Sequence, residues 1–328
     1  MELDNRTGFA ARLFSGNIGD GLKGAWVVAR ATFHLADGVL TPAAADARWP
    51  VFVQPVATDL GVFPADEYPF RRGCELVIAG EARAASPVTE LVLRARVGDF
   101  TDTIVVVGDR VWLPGAAGLV PSDPQPFIAM PLTWERCFGG ASTRNGLPAH
   151  HPLNPRGRGF YASEECAEGG PLPNFEDPAA RITRWTDQPL PVGWGPVENA
   201  VTWQLAELAR ARVRRGQYDV PSVADSVGLG LALNPTASTP RNVMPALSAG
   251  DPVEVTGLAP TPIRFAVPDL ALRLRCVVGD RVREHGLRYS GLWLFASHGL
   301  VVLTLRAAFS YRLRRAEART ATLWSEAP

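Results

Sequence analysis

The sequence predicts a mainly β protein, with antiparallel, sandwich-like sheets, a long loop-rich middle layer and one prominent α-helix. Three observations carry this expectation. Apolar and polar residues alternate with period two in both the first and last thirds of the 328-residue chain. The 31 Gly and 29 Pro punctuate these runs with turn signals. Between about 113 and 195 all periodicity stops, yet Trp134, Phe138, Phe160, Phe175, Trp185 and Trp194 make disorder a poor reading of that stretch.

Taken in order, residues 25–35 place Ala25, Val27, Ala29, Ala31, Phe33 and Leu35 on one face. Trp26, Arg30, Thr32 and His34 fall on the other, the pattern of a half-buried strand. Asp37-Gly38 offers the positive φ angles of a tight hairpin turn. Residues 90–97 alternate again, Gly98-Asp99 turns the chain, and 103–112 reads as the return strand. After Pro196, Asn199 caps a candidate helix whose stripe is Val201, Leu205, Leu208 and Ala209, with Gly216 at its end. Residues 221–251 are irregular and read as a mobile loop. In the last third, 270–278 alternates, Gly279-Asp280 turns, and apolar runs follow at 292–295 and 300–305, which together suggest an antiparallel meander. The domain expectation is one β-rich unit over 1–316, with room for an internal division near 198–250, followed by a C-terminal tail at 317–328.

Composition narrows the function. Formal net charge is zero, so no global field draws the chain to nucleic acid or an anionic membrane. The first residues lack the basic and apolar regions of a secretory signal, and no apolar run nears the roughly 20 residues needed to cross a bilayer. A cytoplasmic protein without membrane insertion is expected. The four Cys form no C-x-x-C pair, and small buried thiols are the natural reading.

No motif by itself specifies a reaction, and neither a cofactor nor a metal is expected. Gly19 to Gly24 matches G-x-G-x-x-G, but a strand follows where the dinucleotide fingerprint needs a helix. His150-His151 are adjacent rather than at helical i, i+4 spacing, so one metal cannot readily take both. Ala296-Ser297-His298-Gly299 reads as a turn and lacks the strained nucleophile elbow. Glu135 and Glu176 lie among Gly, Pro and aromatic residues, where burial could raise a carboxyl pKa toward that of a general acid. They are equally suited to accepting hydrogen bonds that anchor loops, from Arg136, Arg156 or Arg158. Arg156 and Arg158, separated by glycine, could also cradle a carboxylate or peptide backbone.

The runs Glu135-Arg136-Cys137-Phe138-Gly139-Gly140, Asn154-Pro155-Arg156-Gly157-Arg158-Gly159-Phe160, Leu172-Pro173-Asn174-Phe175-Glu176 and Pro191 to Pro196 occur in a set order and spacing. In this they resemble a bacterial family, long catalogued as a domain of unknown function, that accompanies type VI secretion clusters. The resemblance extends to Gly80-Glu81-Ala82, Gly108 to Trp112 and Gly216 to Asp219, and so covers most of the chain. It implies a non-enzymatic adaptor or chaperone that holds a secreted effector protein and helps load it on the spike-tip protein. Candidate partner-binding or loop-anchoring residues are Trp134, Glu135, Arg136, Asn154, Arg156, Arg158, Asn174, Glu176 and Trp194. The chain departs from the family pattern at Arg71, Arg72, Cys74 and Glu75 and over 221–240. Two rivals remain on sequence grounds: a hydrolase using Glu135 or Glu176, and a carbohydrate-binding sandwich whose Trp residues stack on sugar.

Overall fold

The computed structural model describes residues 1–19, 22–67, 73–144, 146–197, 237–312 and 318–326. These residues are mainly β, in several largely antiparallel sheets. The helix expected from Asn199 and the first part of the loop expected over 221–251 lie outside the described residues. Among those described, the one α-helix is a single turn, Glu164–Ala167, capped by Ser163. Residues 240–244 of the expected loop form a 3-10 turn and a two-residue strand, Val243–Met244, paired to Cys74–Ala79.

The largest sheet runs Val243–Met244, Cys74–Ala79, Arg288–Phe295, Leu300–Arg312, Leu22–Ala36 and Ala10–Gly19, with Val39–Pro42 paired to Leu22–Ala36. Its centre joins distant parts of the chain, since Leu22–Ala36 lies antiparallel to Leu300–Arg312. Asp37 and Gly38 have φ of 50° and 81°, as the hairpin into Val39–Pro42 requires. A second sheet orders Phe175–Glu176, Phe100–Val107, Glu90–Val97, Pro252–Thr256 and Ile263–Ala266. A third holds Glu2–Asn5, Arg319–Ser325, Leu272–Val278 and Arg281–Gly286.

Four expectations are corrected here. The C-terminal segment read as a tail contains the strand Arg319–Ser325, which pairs with Leu272–Val278 on one side and Glu2–Asn5 on the other. The C-terminal meander is divided between two sheets. Arg281–Gly286 is a charged edge strand, whereas Arg288–Phe295 and Leu300–Arg312 carry long buried runs that need cover on both faces. The return strand after Gly98-Asp99 stops at Val107, and the chain then enters the irregular layer.

The fourth correction concerns residues 25–35, read as a half-buried strand. Every residue from Ala25 to Phe33 is buried, Arg30 and Thr32 included. Burial of a charge needs a partner, and segment 48–67 supplies it. Arg30 Nη2 donates to both Asp66 oxygens at 3.0 and 2.8 Å, and its guanidinium lies 4.4 Å from the Trp293 ring centroid and 4.9 Å from that of Phe52. Arg306 donates to the same carboxylate at 2.7 Å and to the Asp66 carbonyl at 2.8 Å.

One cluster of buried apolar side chains draws on all three sheets, with Val27, Ala29 and Phe33 beside Leu93, Ala95 and Val97 and beside Leu274 and Cys276. Strand alternation carries Val77, Trp293, Phe295 and Val302 into a second cluster with Phe52 and Phe63. A third, smaller cluster of Trp112, Phe138, Ala167, Leu172 and Ile182 sits within the middle layer. That layer is ordered as expected, built from strands of two to five residues and the loops between them.

Candidate partner-binding site

The four sequence runs in the middle of the chain fold onto one another. Trp134–Arg136 is a 3-10 turn, and Phe138–Gly139 pairs in parallel with Arg158–Gly159. Asn154, 4% exposed, holds this unit together. Its side-chain Nδ2 donates to the carbonyls of Trp134 (2.8 Å) and Phe138 (3.0 Å), and its own carbonyl accepts from Gly140 N (2.8 Å). A Cβ at Gly157 would lie 2.4 Å from that Nδ2 and 2.6 Å from the Cys137 carbonyl, so the spacing of Asn154 and Gly157 is a packing requirement. His151 is buried edge-on to Phe138 and Phe160 and accepts from Asn154 N (3.3 Å), while His150 is exposed.

Replacing Asn154 by alanine should cost about 1–3 kcal/mol, because two carbonyls lose a buried donor without gaining water. The midpoint of thermal unfolding measures it, and an unchanged midpoint would remove Asn154 from the anchors.

Asn174 and Glu176 are also buried, at 0% and 2% exposure. Asn174 Nδ2 donates to the Val107 carbonyl and to Asp109 Oδ1, each at 2.9 Å, and its Oδ1 accepts from Arg136 Nη1 at 3.0 Å. Asp109 Oδ1 also receives Arg136 (3.2 Å) and has Arg158 Nη1 at 3.6 Å. Burial, reinforced by the neighbouring Arg136, lowers the pKa of the Arg158 guanidinium, whose Nε donates to the Glu135 carbonyl (3.0 Å). Glu176 is held by Arg110 and Arg181 and pairs through its backbone with Val105. Its partners are therefore not the Arg136, Arg156 and Arg158 expected for it, because those side chains turn toward Asp109 and Glu135.

Trp194, 2% exposed, links the layer to the two larger sheets. Its Nε1 donates to Asp102 Oδ2 (2.7 Å) and its carbonyl accepts from Ile78 N (2.8 Å). Asp102 in turn receives Arg241 Nε at 2.7 Å and Asn242 Nδ2 at 3.1 Å. Trp134 Nε1 closes the unit on the Gly195 carbonyl at 3.1 Å.

The nine candidates thus divide. Asn154, Asn174, Glu176 and Trp194 are anchors inside the layer. Trp134, Arg136 and Arg158 are partly buried and bridge its loops. Only Glu135 and Arg156 present their charges to solvent, as a 2.6 Å ion pair with side chains 44% and 60% exposed. That pair stands at a groove of about 700 Å³. Trp134, Leu153, Pro155 and Pro196 line it together with Asp59, Leu60 and Val62 of the hairpin 56–63. Asp66, Asp102, Arg110, Arg181 and Arg241 complete the anchoring networks. Of these only Arg110, in its Gly-Asp-Arg run, stood out in the sequence; the others sit in no motif.

Residues 20–306 match the model of a bacterial family described as "Uncharacterized protein conserved in bacteria (DUF2169)". The chain belongs to this family. The match spans all nine candidate residues and every residue that lines the groove. No curated protein and no solved structure matches the chain. No helix among the described residues is long and apolar enough to cross a membrane.

The thiols of this family member divide by burial. Cys74, Cys137 and Cys276 are buried and Cys166 is exposed. Burial pushes Cys137 well above its ordinary value and Cys276 up to about 12, whereas a hydrogen bond with Ser163 lowers Cys166. Since the thiolate is the reactive form, an aromatic disulfide reagent should titrate one thiol in the native chain and all four in denaturant. Cys166→Ser should remove the native signal.

Proposed function

We propose that this protein is a non-enzymatic cytoplasmic adaptor or chaperone that binds a type VI secretion effector and helps load it on the spike-tip protein. The reading starts from the resemblance carried by the Glu135 to Gly140, Asn154 to Phe160, Leu172 to Glu176 and Pro191 to Pro196 runs. The observation that supports it most is the exposed Glu135–Arg156 pair at a groove whose walls are fixed by buried anchors. A recognition surface gains from such walls, because rigid loops lose little entropy when a partner docks. A neutral, sandwich-like body also suits selective binding of protein cargo, since it lacks a global field that attracts polyanions.

The hydrolase alternative keeps one favouring feature, that Glu135 lines the groove. Glu176 serves it less well, being enclosed by two guanidinium groups. The carbohydrate alternative draws little support, because none of the eight described tryptophans is exposed.

Co-expression of the tagged chain with the effector and spike protein encoded beside it tests the proposal. A defined complex on size exclusion, with effector solubility dependent on it, is expected. A well-folded chain that takes neither neighbour would sink the adaptor reading, and Glu135→Gln would then be screened for loss of hydrolytic turnover.

A further inference from the structure

We propose that the groove beside Glu135 receives a short cargo segment that combines apolar side chains with a basic one. This rests on the adaptor reading above and names the chemistry of its partner.

The shape comes first. A volume of about 700 Å³ lies within the roughly 300–1,000 Å³ of well-formed ligand sites. Leu60, Val62 and Leu153 offer apolar contact. Pro152, Pro155 and Pro196 stiffen the walls, since each fixes a backbone φ and brings no N–H that a ligand must satisfy. Pre-shaped walls of this kind bind a segment without ordering themselves.

The charge decides which segment. Two carboxylates and one guanidinium line the groove: Asp59, Glu135 and Arg156. Arg156 is already engaged with Glu135. Asp59, 78% exposed, has His298 Nε2 at 3.8 Å, a partner charged only when protonated. An incoming cation therefore meets two carboxylates, Asp59 and Glu135, whereas an incoming carboxylate faces a net like charge. The Glu135–Arg156 pair is exposed, and an exposed pair holds its members weakly enough for a cationic ligand to share Glu135.

The chain's own residues 198–236 and a second copy of the chain are the occupants that the test below excludes. The charge balance favours a separate basic and apolar segment.

The test uses the full-length protein and fluorescein-labelled heptapeptides of leucine, proline and alanine with a central lysine, glutamate or norleucine. Polarisation should show the lysine peptide binding about ten-fold or more tighter than the glutamate peptide, as unlike and like charges at one contact predict. Asp59→Arg, at an exposed residue, should reverse that preference. Leu153→Glu should weaken all three peptides. Equal binding of the three, or a preference unmoved by Asp59→Arg, would overturn the inference. So would photo-cross-linking from position 153 to residues 198–236 or to a second copy in the free protein. The effector complex separates the two levels of failure. A complex that withstands both variants overturns the groove assignment and leaves the adaptor standing, whereas a wild-type chain that binds no effector removes both.

Discussion

Replacing Asp66 by alanine is expected to cost about 3–5 kcal/mol of folding stability, the range for removing one partner of a buried ion pair. Arg30 is 0% exposed and Arg306 6%, and both guanidinium groups converge on this one carboxylate. The carboxylate also accepts from Phe52 N at 2.8 Å, so it pins segment 48–67 over the strand Leu22–Ala36. Without it, two guanidinium groups stay buried without their shared carboxylate, Arg30 against the Trp293 and Phe52 rings. Ring contacts of about 0.5–2 kcal/mol do not offset that. The contrast is Glu81→Ala, which removes a 2.6 Å bridge to Arg83 between side chains 40% and 48% exposed. Solvent screening limits that loss to about 1 kcal/mol or less. Urea unfolding followed by tryptophan fluorescence would rank the two. Equal losses would mean that Asp66 does not hold the segment in place.

Glu176→Gln is expected to cost a similar amount, about 3–5 kcal/mol, through the same physics. The substitution keeps the shape of the side chain and removes the charge that compensates Arg110, itself 8% exposed. The strand Phe175–Glu176 at the edge of the second sheet should loosen with it, visible as faster amide exchange at Val105 and Val106. A variant of unchanged stability that had lost a catalytic turnover would instead place Glu176 in chemistry. Arg181 ties the same network to Glu90 through two hydrogen bonds of 2.8 and 3.0 Å. The hydrogen bond from Arg181, opposed by a smaller desolvation, holds the Glu90 carboxyl below its ordinary value of 4.5. A carboxyl depressed in the folded state contributes stability above its unfolded pKa and loses it as pH falls through the folded one. Glu90→Gln should therefore lower stability at neutral pH, flatten the loss of stability as pH falls below about 4.5, and leave the acid end little changed.

Much of the local structure was legible from the residues. Alternation located strands at 25–35, 90–97 and 270–278, and Asp37-Gly38 announced its turn, because side-chain direction and turn geometry depend on near neighbours. The aromatic content of 113–195 correctly indicated an ordered layer. Within the site, Asn154 and Gly157 lie in one run visible in the chain, whereas the contact of Trp134 with Gly195, 61 residues on, did not show there. The partners of Glu176 did not, since Arg110 lies 66 residues away. Nor did the burial of Arg30, whose polar face reads as solvent-facing until segment 48–67 covers it.

The sequence by itself determined the β class, several of the longer strands, the turns at Asp37-Gly38 and Gly98-Asp99, and the residues from which the middle layer is built. Periodicity and turn chemistry act over two to four residues, so they survive without any knowledge of neighbours in space. Only the tertiary structure decided that the last third is shared between two sheets, and that the C-terminal strand pairs with the first. It also decided that Glu176 is enclosed while Glu135 faces a groove. Those outcomes depend on which face is covered and which charge finds a partner, as when Arg306 meets Asp66 across 240 residues of chain. Burial turns such meetings from optional into obligatory, because an unpaired charge is tolerated in water and costly in the core.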